Sequence, residues 1–98
     1  MAEVSEETLG ARIRRLRAAR GMTLDQLALS CSPYGRRVSR GMVQHWETGQ
    51  HVPTLVNFAA LARVFGRSME ALLYGEDEAA RLAAEREHAG DGRPTAGG

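Results

Sequence analysis

Four glycines, Gly21, Gly49, Gly66 and Gly75, cut the first three quarters of this chain into segments whose size suits short helices. Five hydroxyl residues able to cap a helix fall within these segments, two of them in the long one between Gly21 and Gly49: Ser5, Thr23, Ser39, Thr54 and Ser68. A Ser or Thr side chain satisfies a free N–H at a helix start, and Gly adopts the left-handed conformation that ends one, so the pattern predicts five helices with sharp stops. Leu9, Ile13 and Leu16 recur at the i, i+4, i+7 spacing of one buried face, with Arg12, Arg14 and Arg15 turned outward. They place helix 1 at about 6–20, with Ser5 as cap and Glu6 and Glu7 in its first turn. Thr23-Leu24-Asp25-Gln26 reads as a capping box flanked by a Met22/Leu27 staple, opening helix 2 at about 24–30. Residues 31–37 contain Pro33 and Gly35 and carry no helical period, so they form a loop. Helix 3, about 40–47, is capped by Ser39, with Met42, Val43 and Trp46 apolar and Val38 and Val43 at the staple positions. Pro53 and Thr54 open helix 4, whose inward residues are Leu55, Phe58, Leu61, Ala62 and Phe65; Ser68 caps helix 5, residues 69–74. No stretch alternates with the period of two that a strand requires, and the fold class is all-α.

The formal charge of +1 over 98 residues hides a strong asymmetry. Residues 9–75 hold ten arginines against Asp25, Glu47 and Glu70, whereas residues 1–8 hold three acids and no base, and residues 76–98 six acids against three arginines. Every basic residue is Arg, whose planar donor fork suits phosphate and base edges, although genomic base composition is the better explanation for the missing Lys. The chain divides into an N-terminal arm (1–5), a folded domain (6–75), an acidic alanine-rich segment (76–89) that can form a further helix with only Leu82 to bury, and a disordered tail (90–98).

Several function classes are disfavoured. No apolar run reaches the length of a membrane span, and the N-terminal MAEVSEETLG lacks the basic and apolar regions of a secretory signal, so a cytoplasmic location without membrane contact is expected. Cys31 is the only cysteine, and His45, His51 and His88 stand at no zinc-site spacing with it, so neither metal nor cofactor is expected. There is no glycine-rich phosphate loop, no nucleophile elbow and no carboxylate pair in an apolar setting, hence no catalytic residue is assigned and an enzyme is not expected.

From Leu9 to Gly75 the chain resembles the helix-turn-helix domain of lambda-type repressors, Cro proteins and the xenobiotic-response-element family of regulators. The matching residues are Ile13, Leu16 and Arg17, then Gly21-Met22-Thr23, Leu27-Ala28 and Val38-Ser39, followed by Val43, Trp46-Glu47-Thr48-Gly49, Pro53, Leu61-Ala62, Phe65-Gly66, Ser68 and Leu72-Leu73. The resemblance implies a five-helix domain that binds double-stranded DNA with helix 3 in the major groove. Carried over by position, Arg40, Gly41, Gln44 and His45 face the bases; Thr23, Leu24 and Ser39 meet phosphate at helix N-termini, and Arg14, Thr48, Gln50 and His51 are weaker phosphate candidates, while Arg36 and Arg37, outside the family pattern, are phosphate candidates as part of a basic wing. Arg17 and Glu47 match an internal salt bridge, and Met69, Leu73 and Tyr74 fall where the family dimerises.

The chain departs from the family pattern twice. Counting from Ala28, the first inward residue of helix 3 would fall on Val38, whereas Val43 fits best, so five residues are inserted within residues 32–37; they could tilt helix 3 or add a basic wing. Gly41 brings no side chain to a base-reading position and weakens the helix by about 1 kcal/mol relative to Ala. Among the remaining residues, Trp46 is expected in the core, Cys31 as a buried thiol, His45 as an ordinary polar contact, and Arg12, Arg15 and Arg20 on a solvated face, while Tyr34 fits either a DNA contact or packing on helix 3. The function that follows is a homodimeric repressor reading an inverted repeat. The alternative is an antitoxin-type or adaptor protein that captures a protein partner through its acidic tail and regulates its own operon.

Overall fold

A computed structural model describes residues 7–91, and among them the chain forms six helices and no strand. They are α1 (Leu9–Ala19), α2 (Leu24–Cys31), α3 (Arg40–Thr48), α4 (Leu55–Phe65), α5 (Met69–Tyr74) and α6 (Glu76–Asp91). The hydroxyl punctuation acts as expected at α2 to α5. Thr23 and Gln26 close a reciprocal capping box, the Gln26 N–H reaching Thr23 Oγ1 at 3.1 Å and the Thr23 N–H reaching Gln26 Oε1 at 2.8 Å. Ser39, Thr54 and Ser68 accept from the N–H groups of Met42, Asn57 and Ala71, and Gly49 and Gly66 end their helices with φ of 82° and 66°.

Helix 1 begins later than its periodicity suggests. Thr8, not Ser5, is the cap, its hydroxyl accepting the Ala11 N–H at 3.1 Å, and the start at residue 6 is corrected to Leu9. Ser5 and Glu6 lie outside the described residues, as does the expected arm. Glu7 precedes the cap instead of occupying the first turn, and its carboxylate takes hydrogen bonds from Arg12 (3.2 Å) and Arg15 (2.7 Å). At the other end α6 runs two residues past the expected end at 89, to Asp91, and residues 92–98 lie outside the described region.

Each of the first five helices sends one fully buried aliphatic side chain inward: Ile13, Leu27, Val43, Leu61 and Leu72 are all 0% exposed. Phe65, Leu16 and Trp46 fill the spaces between them. Burial of each large side chain contributes roughly 1.5–3 kcal/mol, and this shared centre orients the helices. Cys31 belongs to the same cluster, and burial pushes its thiol up to about 11, so it is a protonated core atom. Leu55 does not join them. It is exposed, because the buried face of α4 is set by Asn57, Phe58, Leu61 and Phe65.

The expected solvated face of α1 is largely structural. Arg12 is buried, its guanidinium donating to the carbonyls of Leu72 (3.0 Å), Leu73 (2.9 Å) and Glu7 (3.1 Å). Arg20 donates to the carbonyls of Val64 (3.1 Å) and Phe65 (2.7 Å). The last carbonyls of a helix have no partner within it, and five guanidinium donors on a long stem can satisfy them from a neighbouring helix. Arg15 stays mainly in solvent, paired with Glu7, and Arg20 is likewise exposed although its guanidinium reaches the end of α4.

The α1–α3 crossing is closest at Gly10. A Cβ at this position would stand 2.5 Å from the carbonyl oxygens of both Trp46 and Glu47, so only glycine permits the contact. Gly10→Ala is expected to lower the unfolding free energy in urea by about 1–3 kcal/mol, the usual cost of overpacking a tight contact.

Candidate nucleic-acid interface

Helix α3 is amphipathic in a way that separates two tasks. Val43 and Trp46 are buried, while Arg40, Gly41, Gln44, His45 and Thr48 are exposed together on the opposite side. A helix interior spends its backbone polar groups on itself, so only these side chains are left to meet a ligand. They include a planar donor fork, an amide and an imidazole, the groups that pair with base edges. Gly41 opens onto empty space, with nothing within 4 Å of the position a Cβ would take.

The orientation of α3 is held from beneath. Arg17 Nε and Nη2 donate to Glu47 Oε2 and Oε1 at 2.6 and 3.1 Å, and Nη1 donates to the Met22 carbonyl at 2.8 Å. One guanidinium therefore joins α1, the end of α3 and the entry to α2. The Glu47 hydrogen bond raises the Arg17 pKa above its ordinary value, and both side chains are mostly withdrawn from water. Arg40 lies 4.0 Å from Asp25 across the α2–α3 junction, but both groups are well exposed and such a pair contributes little.

The phosphate candidates fall into three groups. Thr23 and Ser39 spend their hydroxyls on capping, so what they and Leu24 can offer an anion is the N–H array of a helix start. Beyond α3, the Thr48 hydroxyl and the His51 N–H both donate to the His45 carbonyl (3.3 and 3.2 Å), and the imidazoles of His45 and His51 meet edge to face with centroids 5.0 Å apart. Gln50 is exposed beside them. Arg36 and Arg37 project from the loop spanning residues 32–39, both exposed. Arg14 is exposed on α1, and among the described residues no hydrogen bond or ion pair joins it to this group.

The Tyr34 ring lies under the Arg63 guanidinium of α4, 4.8 Å from the charge centre to the ring centroid. Asn57 was not anticipated. It is the only polar side chain in the opening turns of α4, the one signal in that otherwise apolar run, and it is buried with its carbonyl oxygen accepting the Arg36 N–H at 2.7 Å.

Met69, Leu73 and Tyr74 line a separate apolar groove of about 590 Å³ with Leu9, Val52, Pro53, Leu55 and Phe58. Val52 and Leu55 are about three-quarters exposed and Leu73 and Tyr74 about half, a concentration of apolar surface uncommon on a small monomer. Among the described residues no group of His, Cys, Asp and Glu is placed to hold a metal ion, and no helix is long and apolar enough to cross a membrane.

Residues 8–73 match the model of a helix-turn-helix domain family. Similar solved structures include the P22 c2 repressor in complex with a synthetic operator (26% identity, TM-score 0.62, covering 69% of this chain and 96% of that one). The clp gene regulator ClgR of Corynebacterium glutamicum is 29% identical, with a TM-score of 0.60 over 87% of this chain and 85% of that one. A hypothetical transcription factor from Neisseria, 24% identical with a TM-score of 0.63 over 84% of this chain and 94% of that one, shares the fold. Among curated proteins none matches the chain significantly.

Removing one partner of the α1–α3 ion pair leaves the other charge withdrawn from water without compensation. Glu47→Ala is expected to cost on the order of 3 kcal/mol in a urea melt, and replacing both Arg17 and Glu47 with apolar residues to recover most of that loss.

Proposed function

The chain belongs to the helix-turn-helix domain family, and from that membership we propose that it is a homodimeric repressor that lays α3 in the major groove of an inverted-repeat operator. The coarser reading, a DNA-binding transcriptional regulator, follows from the family and from its likeness to repressors and regulators of known structure. The observation that carries the finer one is the division of α3: Val43 and Trp46 anchored in the core, with Arg40, Gln44 and His45 free on the outer face. In this reading Arg40 pairs with guanine and Gln44 with adenine, the bidentate matches their donor and acceptor geometry allows. Gly41 lets the backbone come close, and His45 adds a polar contact. Thr23, Leu24 and Ser39 present helix-start N–H groups to phosphates, with Arg14, Arg36, Arg37, Thr48, Gln50 and His51 around them.

A second copy of the chain is the occupant proposed for the apolar groove. A single module of this size touches few base pairs, and a two-fold dimer doubles the contacts while covering Leu73, Tyr74 and Leu55. In the competing reading, an antitoxin-type or adaptor protein captures a protein partner through the acidic tail; three of the α6 carboxylates are already engaged by the chain's own arginines, Glu76 with Arg67 and Glu78 and Glu85 with Arg81, and are less available to such a partner.

Binding-site selection with the purified protein is expected to return an inverted repeat with half-site centres about 34–36 Å apart. Arg40→Ala and Gln44→Ala should each erase the preference at one base position, at a cost of about 1–3 kcal/mol. Uniform weakening over all sequences would instead place those side chains on phosphates. Leu73→Asp is expected to leave the fold intact while converting the dimer to a monomer by sedimentation and abolishing cooperative occupancy of the two half-sites; an unchanged sedimentation coefficient would reject the groove as the dimer surface.

A further inference from the structure

The loop between α2 and α3, residues 32–39, is tied to the rest of the domain at several points. It begins with the Tyr34 and Gly35 N–H groups donating to the Cys31 carbonyl (2.9 and 2.8 Å) and with the Ser32 hydroxyl donating to the Ala28 carbonyl (2.9 Å). It ends at Val38, 8% exposed and part of the core. In between, the Tyr34 ring packs under Arg63, and Arg36 donates its backbone N–H to Asn57 Oδ1. Asn57 is 2% exposed, and Gly35 sits so tightly against the same oxygen that a Cβ there would collide with it. Arg37 has a φ of 47°, a left-handed conformation that costs a non-glycine residue on the order of 1 kcal/mol and persists only where its surroundings dictate it. The Arg36 and Arg37 side chains themselves are exposed, and among the described residues no ion pair engages them.

We propose that Asn57 is a positioning residue for DNA binding: by accepting the Arg36 N–H it pins the inserted loop to α4 and presents Arg36 and Arg37 as a preformed pair of phosphate contacts. The inference rests on the regulator reading above and adds to it a residue that itself touches no DNA. A loop held in its binding conformation loses little entropy when it meets the duplex, whereas a free eight-residue loop would have to be ordered at the expense of affinity. A buried amide oxygen is well suited to this work. It is already desolvated, so losing the hydrogen bond would leave the buried Asn57 oxygen without a partner.

The readout is the dependence of log Kd on log salt concentration, measured on the duplex most enriched in the selection, since each phosphate contact contributes about 0.9 to the slope. The Arg36→Gln/Arg37→Gln double variant should lower the slope by about 2 and leave the base preferences of Arg40 and Gln44 in place. Asn57→Leu, close in size but unable to accept, should lower it by about 1–2 in protein shown by circular dichroism to be folded, while Asn57→Asp, which keeps the acceptor, should retain most of it. Where Asn57→Leu does not fold, Gly35→Ala displaces the same loop from Asn57 and should give the same drop. A residue serving stability alone would shift the melting temperature and leave the slope unchanged. An unchanged slope in the double variant, or in folded Asn57→Leu or Gly35→Ala, overturns the inference while the regulator reading stands. Failure of the unsubstituted protein to select any sequence overturns both.

Discussion

The bidentate contact between Arg17 and Glu47 governs everything the outer face of α3 can do. A helix of nine residues such as α3 is too short to be stable alone, and its direction is set by what lies beneath it. Val43 and Trp46 supply the apolar footing, but a hydrophobic contact is non-directional and leaves a short helix free to rotate or slide. The guanidinium removes that freedom. Its fixed fork meets both carboxylate oxygens while a third donor holds the Met22 carbonyl, so the end of α3 and the entry to α2 are registered against the same side chain. Gly10 then allows α1 to approach the α3 backbone closely enough for the fork to reach.

The same helix uses arginine for cohesion at two further points. Arg12 satisfies the last carbonyls of α5 and Arg20 those of α4, so α1 closes the open ends of the helices packed around it. The basic character of the middle of the chain is therefore misleading as a measure of affinity for nucleic acid. Much of it is already engaged within the molecule: Arg12, Arg17 and Arg20 hold helices together, Arg67 pairs with Glu76, and Arg63 lies over the Tyr34 ring. Arg36 and Arg37 on the loop and Arg40 on α3 are exposed beside the proposed reading surface, while Arg14 and Arg15 are exposed on α1, so the local arrangement of a few guanidinium groups matters more than the net charge.

The α6 segment follows a different logic. Ala79, Ala80 and Ala83 face the α4–α5 corner together with Glu76 and Arg86, whose charges pair with Arg67 and Glu70. Helix–helix contacts made of alanine and exposed ion pairs contribute little free energy, so α6 extends the domain without adding to its core. The apolar groove formed by Val52, Leu55, Leu73 and Tyr74 lies at the junction of α4 and α5 and remains accessible.

Helix number, helix order and nearly every cap could be read from the sequence, because hydroxyl caps, glycine stops and the 3.6-residue period are local physics that each segment carries within itself. The outward set on α3 was legible for the same reason: once Val43 and Trp46 are inward, Arg40, Gln44 and His45 have nowhere else to point. Where the reading failed, the deciding partner was distant in the chain. Arg12 looks solvent-facing until the carbonyls of residues 72 and 73 arrive beside it. Leu55 looks inward until the burial of Asn57 and Phe58 sets the face of α4. Asn57 looks like an ordinary polar interruption until a loop 21 residues earlier donates a backbone N–H to it. Local sequence determines which segments become helices and which of their faces are apolar. Which polar groups become buried, and what satisfies them, is decided only when helices far apart in sequence come together, because a desolvated donor or acceptor must then be paired with whatever the fold has placed within reach.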